Sequence, residues 1–581
     1  MSINKLELTW YGKENEIIVE PRILVEDSSL TNSNAEENGV TKSHFENILI
    51  HGDNLLALKA LEQDFTDKIQ CIYIDPPYNT GNAFEHYDDN LEHSIWLSLM
   101  KPRLEILRRL LIDSGSIFIQ IDYNEQAYLK VLMDELFGRK NFITMITCKV
   151  KAPSGIASGS SAFFDVSEYI LVYAKNKDQF DFYPTKVDSQ IVGPKSPTVT
   201  GVYNQLLNKF EEKEFRDFSN FEDIVIKELP FNSFSVETIT KKERTEKKYY
   251  ESYEYIFRLA AISGGRDKKV LSFLKSLPEY DSSKVYSYQY VASQGKNKGK
   301  LITNYIYKNQ NILFLRDFIR VDDDNKVVYK QDILTNIFYN DWWQGLTGEG
   351  GVTFKNGQKP EKLLHQIFST VTRENDFILD SFLGSGTTVA VAHKMNRRWI
   401  GIEMGDHAYT HAKKRIDDVV SGFDQTGISK LVDWSGGGGY KFYELAPTLI
   451  NVDEFGQAII NEKYNPEMLA NAVSKHEGYK YSPNSDIYWK QSNNGSKSYL
   501  YVTTNHLSRT VIDSIKNSMS DDEYLLIVCK SFDRGIDKLV KNINVKKIPQ
   551  SLLKNCEFGV DNYNLNIVNV PEYEDEDDSD E

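Results

Sequence analysis

The sequence lacks the features that mark membrane and secreted proteins. No stretch of about 18 consecutive apolar residues occurs in its 581 residues, so we predict no transmembrane helix. The N-terminus has no basic patch followed by an apolar stretch, so we also predict no signal peptide. The default expectation is a cytoplasmic protein that makes no contact with a membrane.

Cysteine is scarce, and its placement argues against two kinds of site. The four cysteines stand at 71, 148, 529 and 556, and they form no CxxC pair. This spacing predicts neither a zinc site nor a disulfide framework.

An excess of positive charge is also missing, because the formal net charge is −16. Part of the deficit lies at the C-terminus, where the ten residues Glu572 to Glu581 include eight acidic groups. Basic clusters occur elsewhere, at 241–248 and 296–300. The total charge therefore argues only weakly against nucleic-acid binding.

Alternating strand and helix patterns are present on both sides of a central interruption. Continuous apolar runs such as IQCIYID (69–75) and RWIGIE (398–403) are typical of buried parallel strands. Helical patterns separate them, whereas 180–340 shows no such rhythm. We predict an α/β fold with a doubly wound, mostly parallel sheet of the Rossmann-like kind and an inserted domain.

A glycine-rich turn, FLGSGTT (382–388), follows the predicted strand at 376–380. Its glycines would let a ligand approach the backbone closely, and Glu403 at the end of the next strand could bind two ribose hydroxyls. The turn has no Walker lysine for a polyphosphate, so it suits a nucleoside such as S-adenosylmethionine (SAM), with Asp380 near the amino-acid part or the sulfonium. By itself, such a turn is equally compatible with a glycine turn that binds nothing.

A second motif, DPPYNTG (75–81), closes another buried strand. Consecutive prolines stiffen a turn and remove backbone donors, which leaves the Asp75 carboxylate and the Pro76 carbonyl as fixed acceptors. Two acceptors would bind the two hydrogens of an exocyclic amino group on a DNA base, and Tyr78 could stack on that base. The alternative is that DPPYNTG is a simple proline turn. The presence of this motif together with the glycine turn and Glu403 favours the functional interpretation.

The chemistry that these motifs predict is methyl transfer from SAM to an amino nitrogen of adenine or cytosine. The base would be flipped out of the duplex, because an enzyme cannot reach its amino nitrogen while it is stacked and paired. Methylation at cytosine C5 is disfavoured because it needs a cysteine nucleophile, usually after proline, and no proline precedes any cysteine here.

The sequence resembles the modification subunits of type III restriction–modification systems, which are amino-methyltransferases of the β arrangement. The resemblance rests on DPPYNTG, on SEYILVYAKN (167–176), on GQKPEKLL (357–364), on LDSFLGSGTT, and on the order of these blocks. It implies adenine N6 methylation, target recognition between the two motifs, a homodimer, double-stranded DNA as the substrate, and an ATP-dependent restriction subunit as a partner.

The resemblance also implies residue roles. HGDN (51–54) would reach the cofactor adenine, and Lys359 to Glu361 would line the cofactor pocket. The predicted catalytic residues are Asp75, Pro76, Pro77 and Tyr78. The predicted cofactor-binding residues are Asp53, Asn54, Lys359, Pro360, Asp380, Phe382, Gly384, Ser385, Gly386, Thr387 and Glu403. The predicted contacts to the target base or DNA are Phe163, Phe164, Lys296, Lys298 and Lys300.

The predicted organisation has six parts. They are a lead-in at 1–46, a catalytic half at 47–180, a target-recognition domain at 181–340, a SAM-binding half at 341–430, a C-terminal α+β domain at 440–570, and a disordered acidic tail at 571–581. Two other functions remain open from the residues alone: a cytosine-N4 methyltransferase, and a DNA-recognition subunit that mainly guides a nuclease partner.

Overall fold

The computed structural model describes most of the chain up to residue 548. The described residues are 7–14, 19–32, 47–79, 93–151, 165–183, 186–210, 216–217, 224–228, 234–263, 265–292, 299–338, 342–343, 346–354, 357–452, 455 and 457–548. The chain divides into two compact units, of which one is Met1–Tyr183 with Asn336–Glu581 and the other is Pro184–Thr335.

The first stretch of the larger unit alternates strands with helices. Its strands are β1 (Leu24–Glu26), β2 (Ile48–His51), β3 (Ile69–Ile74), β4 (Leu111–Ile121), β5 (Phe142–Lys149) and β6 (Ser167–Ala174). Its helices are α1 (Asn54–Phe65), α2 (His93–Leu110) and α3 (Tyr123–Met133). All six residues of β3 are buried, as expected for a central strand that is covered on both faces.

The smaller unit is built mainly from antiparallel strands. Its strands are β7 (Lys186–Ile191), β8 (Gln205–Phe210), β9 (Arg216–Asp217), β10 (Val225–Glu228), β11 (Phe234–Thr238), β12 (Ile256–Ala261), β13 (Val285–Val291), β14 (Leu301–Tyr307), β15 (Gln310–Phe314), β16 (Ile319–Asp322) and β17 (Val327–Ile333). Its helices are α4 (Pro197–Val202), α5 (Glu246–Ser252) and α6 (Gly265–Ser276). Eight strands form one sheet in the order β11-β8-β12-β15-β14-β13-β10-β9, and β16-β17-β7 form another.

The larger unit then resumes and continues into the C-terminal part. The strands are β18 (Ile337–Phe338), β19 (Phe377–Asp380), β20 (Arg398–Glu403), β21 (Lys441–Leu445), β22 (Ile450–Val452), β23 (Ala458–Ile460), β24 (Lys480–Tyr481), β25 (Ser492–Asn493), β26 (Ser498–Leu507), β27 (Tyr524–Phe532) and β28 (Ile543–Lys547). The helices are α7 (Glu361–Val371), α8 (Thr387–Lys394), α9 (Lys414–Val420), α10 (Pro466–His476) and α11 (Arg509–Ser518).

The main sheet has ten strands in the order β1-β21-β2-β20-β19-β3-β4-β6-β5-β18. From β21 to β4 every neighbouring pair is parallel, while β6 runs antiparallel to both β4 and β5. The prediction of an α/β fold with a mostly parallel sheet is confirmed. Strands from far apart in the sequence are neighbours at the centre, since β19 lies between β3 and β20.

Two of the predicted domain boundaries do not match the strand pairing of the main sheet. Strand β1, in the predicted lead-in, and strand β21, in the predicted C-terminal domain, pair with each other at one edge of the main sheet. Both strands are too short for a periodic pattern to reveal them, and only long-range pairing places them in this sheet. The C-terminal sheet, β24-β25-β26-β27-β28, has its own apolar cluster around Trp489 and Ile527.

Within the part of the chain that the structure describes, no helix combines the length and the apolar character that crossing a bilayer requires.

Candidate active site

Three acidic residues lie at the carboxyl ends of three adjacent parallel strands. Asp75 follows β3, Asp380 ends β19, and Glu403 ends β20. Neighbouring strands in a sheet are about 4.8 Å apart, so the three side chains share one edge of the sheet. Burial raises the pKa of the Asp380 carboxyl to about 7, and the negative charges of Asp75 and Glu403 add to this increase.

The glycine turn is fixed directly to one of these carboxylates. The backbone N–H of Gly384 donates a hydrogen bond of 2.7 Å to Oε2 of Glu403. Both Gly384 and Gly386 have positive φ, and a Cβ at Gly386 would stand 2.9 Å from the Cα of Ala412. Glycine is therefore required at Gly386 both for its backbone conformation and for this close approach.

The proline turn is held on two sides. The Tyr78 hydroxyl donates to Asp75 Oδ1 at 2.7 Å, and Trp96 Nε1 donates to the carbonyl of Pro77 at 2.8 Å. The carbonyl oxygen of Pro76 accepts no hydrogen bond from the described residues. The turn therefore presents a fixed carboxylate together with a backbone acceptor that is still available.

Lys359 lies against the proline turn. Its Nζ is 2.7 Å from Asp75 Oδ2 and 5.0 Å from the centre of the Tyr78 ring. Burial by itself lowers the pKa of a lysine, but the charges of Asp75 and Glu168 outweigh burial here and raise it. Lys359 therefore stays protonated and pairs with Asp75.

A further carboxylate, Glu168, completes this cluster, and the sequence analysis assigned it no role. It stands near the start of β6, where Oε2 accepts from the Tyr78 hydroxyl at 2.9 Å and from Gln120 Nε2. Gln120 Oε1 in turn accepts from the hydroxyl of Tyr73 at 2.5 Å. The sequence signal that could have identified Glu168 is a single charged residue directly before the apolar run YILVYA (169–174).

The side chains of Asp53 and Asn54 make structural contacts within the described part of the chain. Asp53 caps α1, because its Oδ1 accepts from the Leu56 N–H at 2.9 Å. Arg103, which is fully buried, donates to Asn54 at 2.5 Å and approaches Asp53 at 3.4 Å. Asn54 also donates to the Ser381 carbonyl at 2.7 Å, which ties the start of α1 to the glycine turn.

The remaining cofactor candidates lie in and around the glycine turn and at the start of α7, and most of them are buried. Ser385 Oγ and Thr387 Oγ1 are 3.1 Å apart, and Arg415 donates to Thr387 at 2.8 Å. Pro360 directly precedes α7, whereas Phe382 packs into the main apolar cluster. Glu361 is fully buried and pairs with Lys394 and Arg415, so it does not line an open pocket.

The candidate contacts to DNA are largely untested by the structure. Phe163, Phe164, Lys296 and Lys298 lie outside the described residues. Lys300 is exposed in the smaller unit, where its carbonyl accepts from the N–H of Ala292 at 3.0 Å, next to the pairing of β13 with β14.

Comparison with known families agrees with this geometry. A family model described as DNA methylase, for N6 and N4 methyltransferases, matches residues 69–414, which is more than half of the chain. The chain belongs to the N6/N4 DNA methylase family. The matched region begins with β3 and extends past the glycine turn and Glu403, so it covers both motifs and the smaller unit between them.

Individual relatives of this DNA methylase are described as restriction–modification proteins. The chain is 40% identical over 419 residues to a probable type III restriction-modification enzyme HindVI Mod subunit of Haemophilus influenzae, with 69% of this chain and 54% of that protein covered. It is 25% identical over 535 residues to the type III restriction-modification enzyme EcoP15I Mod subunit of Escherichia coli, covering 81% and 76%. The chain thus spans about half the length of the Haemophilus relative.

The DNA methylase family uses SAM, and the residues at the carboxyl ends of β19 and β20 have the chemistry to hold that cofactor. Carboxylates suit its sulfonium, ammonium and ribose hydroxyl groups, and Asp380 and Glu403 end the adjacent strands β19 and β20. The Ser381 hydroxyl is buried next to Asp380 and has no hydrogen-bond partner among the described residues, so a polar ligand group could satisfy it.

Proposed function

We propose that this chain is a SAM-dependent, site-specific DNA methyltransferase. It would transfer the methyl group to N6 of adenine by direct displacement on a flipped base. We further propose that it is the modification and DNA-recognition subunit of a type III restriction–modification system. The family assignment supports methyl transfer, and the two Mod-subunit relatives support the type III assignment.

One observation carries the proposal. Asp75 of the proline turn, Asp380 and Glu403 lie at the carboxyl ends of β3, β19 and β20, although more than 300 residues separate Asp75 from the other two. The strand order β20-β19-β3 accounts for this proximity. A group bound at the proline turn and a nucleoside bound at the glycine turn would therefore share a crevice.

The proline turn would bind the amino group of the target base. A carboxylate has about four lone-pair positions, and Lys359 and Tyr78 use one on each oxygen of Asp75. Asp75 can still accept one amino hydrogen while the Pro76 carbonyl accepts the other. Both bonds draw the nitrogen lone pair away from the ring, and a charge-assisted bond of this kind contributes about 1.5–3 kcal/mol.

The glycine turn and its neighbours would hold the cofactor. Glu403 would bind the ribose hydroxyls, and Asp380 would face the cationic part of the molecule. When bound, SAM supplies an electrophilic methyl group on a sulfonium. The chain contributes alignment and a water-poor surrounding, since both carboxylates are at most 2% exposed.

Replacing Asp75 tests the assignment of the amino acceptor. We expect Asp75→Ala to lower the rate of methyl transfer roughly 10- to 10²-fold, because the one charge-assisted bond from the amino group to this carboxylate is lost in the transition state. SAM affinity, measured by calorimetry, should stay within about twofold. Asp113→Ala, at an exposed position of the same half, serves as the control and should keep the wild-type rate. Retained activity of Asp75→Ala would refute the assignment.

The base that is methylated needs its own experiment, because the same acceptors suit adenine N6 and cytosine N4. Mass analysis of nucleosides from treated DNA separates the two products. N6-methyladenine is the expected product, and N4-methylcytosine would establish the alternative.

Target recognition would be the task of the smaller unit. Residues 184–335 contain 25 lysines and arginines against 21 acidic residues, whereas the whole chain has a net charge of −16. Several guanidinium groups lie over aromatic rings in this unit, including Arg266 over Tyr290 at 3.9 Å. We propose that this surface contacts DNA together with Lys296, Lys298 and Lys300, and that Phe163 or Phe164 packs on the flipped base.

The assembly that we propose is a cytoplasmic homodimer with an ATP-dependent restriction subunit as its partner. The Mod-subunit relatives support the existence of such a partner. Size-exclusion chromatography with light scattering would measure the oligomeric state, and a mass near that of a single 66.8 kDa chain would exclude the dimer.

A further inference from the structure

Glu168 occupies a position that neither sequence motif covers. It lies opposite Cys148 in the pairing of β5 with β6, and its side chain is 18% exposed. Oε2 accepts from Tyr78 and Gln120, and Lys359 Nζ is 3.8 Å away. Oε1 has no hydrogen-bond partner among the described residues. The Asp75 side chain is similarly exposed, at 19%, so Glu168 gives the cluster a second route to solvent on the other side of Tyr78.

The Tyr78 phenol links the two carboxyls of this cluster. The Tyr78 oxygen is 2.7 Å from Asp75 Oδ1 and 2.9 Å from Glu168 Oε2, yet a phenol has only one proton to donate. The phenol therefore donates to one carboxyl at a time and can accept from the other when that one is protonated. Once Asp75 has taken up a proton, Asp75, Tyr78 and Glu168 form a continuous donor–acceptor chain that ends at Glu168 Oε2.

The other groups in the cluster are unsuitable as the final proton acceptor. The pKa of Lys359 is raised, so its amine is already protonated. Burial and the charges of Asp75 and Glu168 raise the pKa of the Tyr78 phenol well above its usual value. Tyr78 therefore does not become a base, but it can pass a proton on while remaining neutral.

Methylation of an amino group requires such an acceptor. As the carbon–sulfur bond breaks and the carbon–nitrogen bond forms, the amino nitrogen becomes cationic. One of its two hydrogens must then leave as a proton to restore a neutral amine. Asp75 is the first acceptor on this path, because it would already hold one of those hydrogens.

We propose that Glu168 is the acceptor that receives this proton, through Asp75 and Tyr78. The nitrogen gives its proton to Asp75, the Asp75 carboxyl donates to the phenol oxygen, and the phenol proton passes to Glu168 Oε2. The tyrosine is unchanged at the end, and Glu168 loses the proton to water. Burial raises the pKa of Asp75, which favours its transient protonation. This inference rests on the proposed methyl transfer.

The decisive variant is Glu168→Gln, which keeps an oxygen acceptor for Tyr78 but cannot take up a proton. We expect the single-turnover rate of DNA methylation at neutral pH to fall roughly 10- to 100-fold, within the range that proton transfer contributes. The KM for DNA and the affinity for SAM should change less than about twofold. The rate of the variant should rise with pH as hydroxide replaces the lost acceptor, and Glu168→Asp should restore part of the rate.

A double variant separates a relay from a merely structural contact. Tyr78→Phe breaks the same path, so its loss and that of Glu168→Gln should not multiply when the two are combined. Glu462→Gln, at an exposed position, is the control for the substitution itself. A wild-type rate and pH profile in Glu168→Gln, or multiplied losses in the double variant, would overturn the relay alone. Absence of DNA methylation by the wild-type protein would overturn the proposed function as well.

Discussion

Asp380 is the residue at which the two halves of the site meet. Its carboxylate accepts from the Phe382 N–H at 2.9 Å and from the Thr388 hydroxyl at 2.6 Å, and only 2% of the residue is exposed. Burial raises its pKa to about 7 in spite of these two bonds. In the free protein the carboxyl is therefore protonated below about pH 7 and ionised above it.

This pKa predicts a pH-dependent affinity for SAM. A cation beside Asp380 favours the ionised form, so binding below about pH 7 should release a proton, and affinity should rise about tenfold between pH 6 and pH 8. Calorimetric titrations at several pH values would measure this. The amino group of SAM also titrates in this range, so Asp380→Asn is the reference. The SAM affinity of this variant should depend on pH only through the amino group of SAM. Equal pH dependence in the two proteins would contradict the prediction.

The site residues that could be predicted are those whose position follows from a single strand. Asp75 and Glu403 end apolar runs, so the sequence itself places them at the carboxyl edge of a parallel sheet. Glu168 and Arg103 could not be predicted in this way. Glu168 meets Tyr78, 90 residues earlier, only through the pairing of β4 with β6, and Arg103 meets Asp53 only through the packing of α2 on α1.

At the scale of elements, a buried charge cluster joins three helices behind the glycine turn. Glu361 at the start of α7 pairs with Lys394 at the end of α8 and with Arg415 of α9, each at 2.8 Å. Asp424 is 2.7 Å from Lys394. None of these side chains is more than 2% exposed. The helices are therefore held by ion pairs that solvent does not screen.

Removing one member of this cluster should be costly. We expect Lys394→Met to lower the free energy of unfolding by about 3–5 kcal/mol, because two carboxylates lose a buried partner. Lys497→Met is the matched control, since Lys497 pairs with Asp522 at the surface, where both side chains are at least 60% exposed. That control should cost less than about 1 kcal/mol. Chemical denaturation of both variants measures the difference, and equal losses would contradict the prediction.

The helices and strands with strong patterns could be predicted, and the short edge strands could not. The strand RWIGIE (398–403) has the predicted limits, and the strand predicted at 69–75 is observed as Ile69–Ile74. Strands β1 and β21 have only three and five residues, so no period identifies them. β21 pairs with β2, and β1 pairs with β21. A local sequence pattern contains no information on such long-range pairing.

At the scale of the whole molecule, the two compact units differ in architecture. The larger unit contains the mostly parallel sheet, while the sheets of the smaller unit, 184–335, are antiparallel. The smaller unit has its own apolar clusters, such as the one around Tyr249 and Leu315. The sequence indicated an insertion because the alternating rhythm stops near residue 180, but the fold of the insertion was not predictable from its irregular strands.

An apolar core within 184–335 predicts that this segment folds when it is expressed on its own. We expect a single cooperative thermal transition by circular dichroism, because its buried residues contact one another within the segment.

We also expect the isolated segment to bind duplex DNA, with an affinity that falls steeply between about 50 and 200 mM salt as phosphate contacts are screened. The variant Lys296→Gln with Lys298→Gln and Lys300→Gln should keep the transition and show a shallower salt dependence. Gradual unfolding would show that the segment depends on the rest of the chain, and an unchanged salt dependence in the triple variant would remove these lysines from the DNA-binding surface.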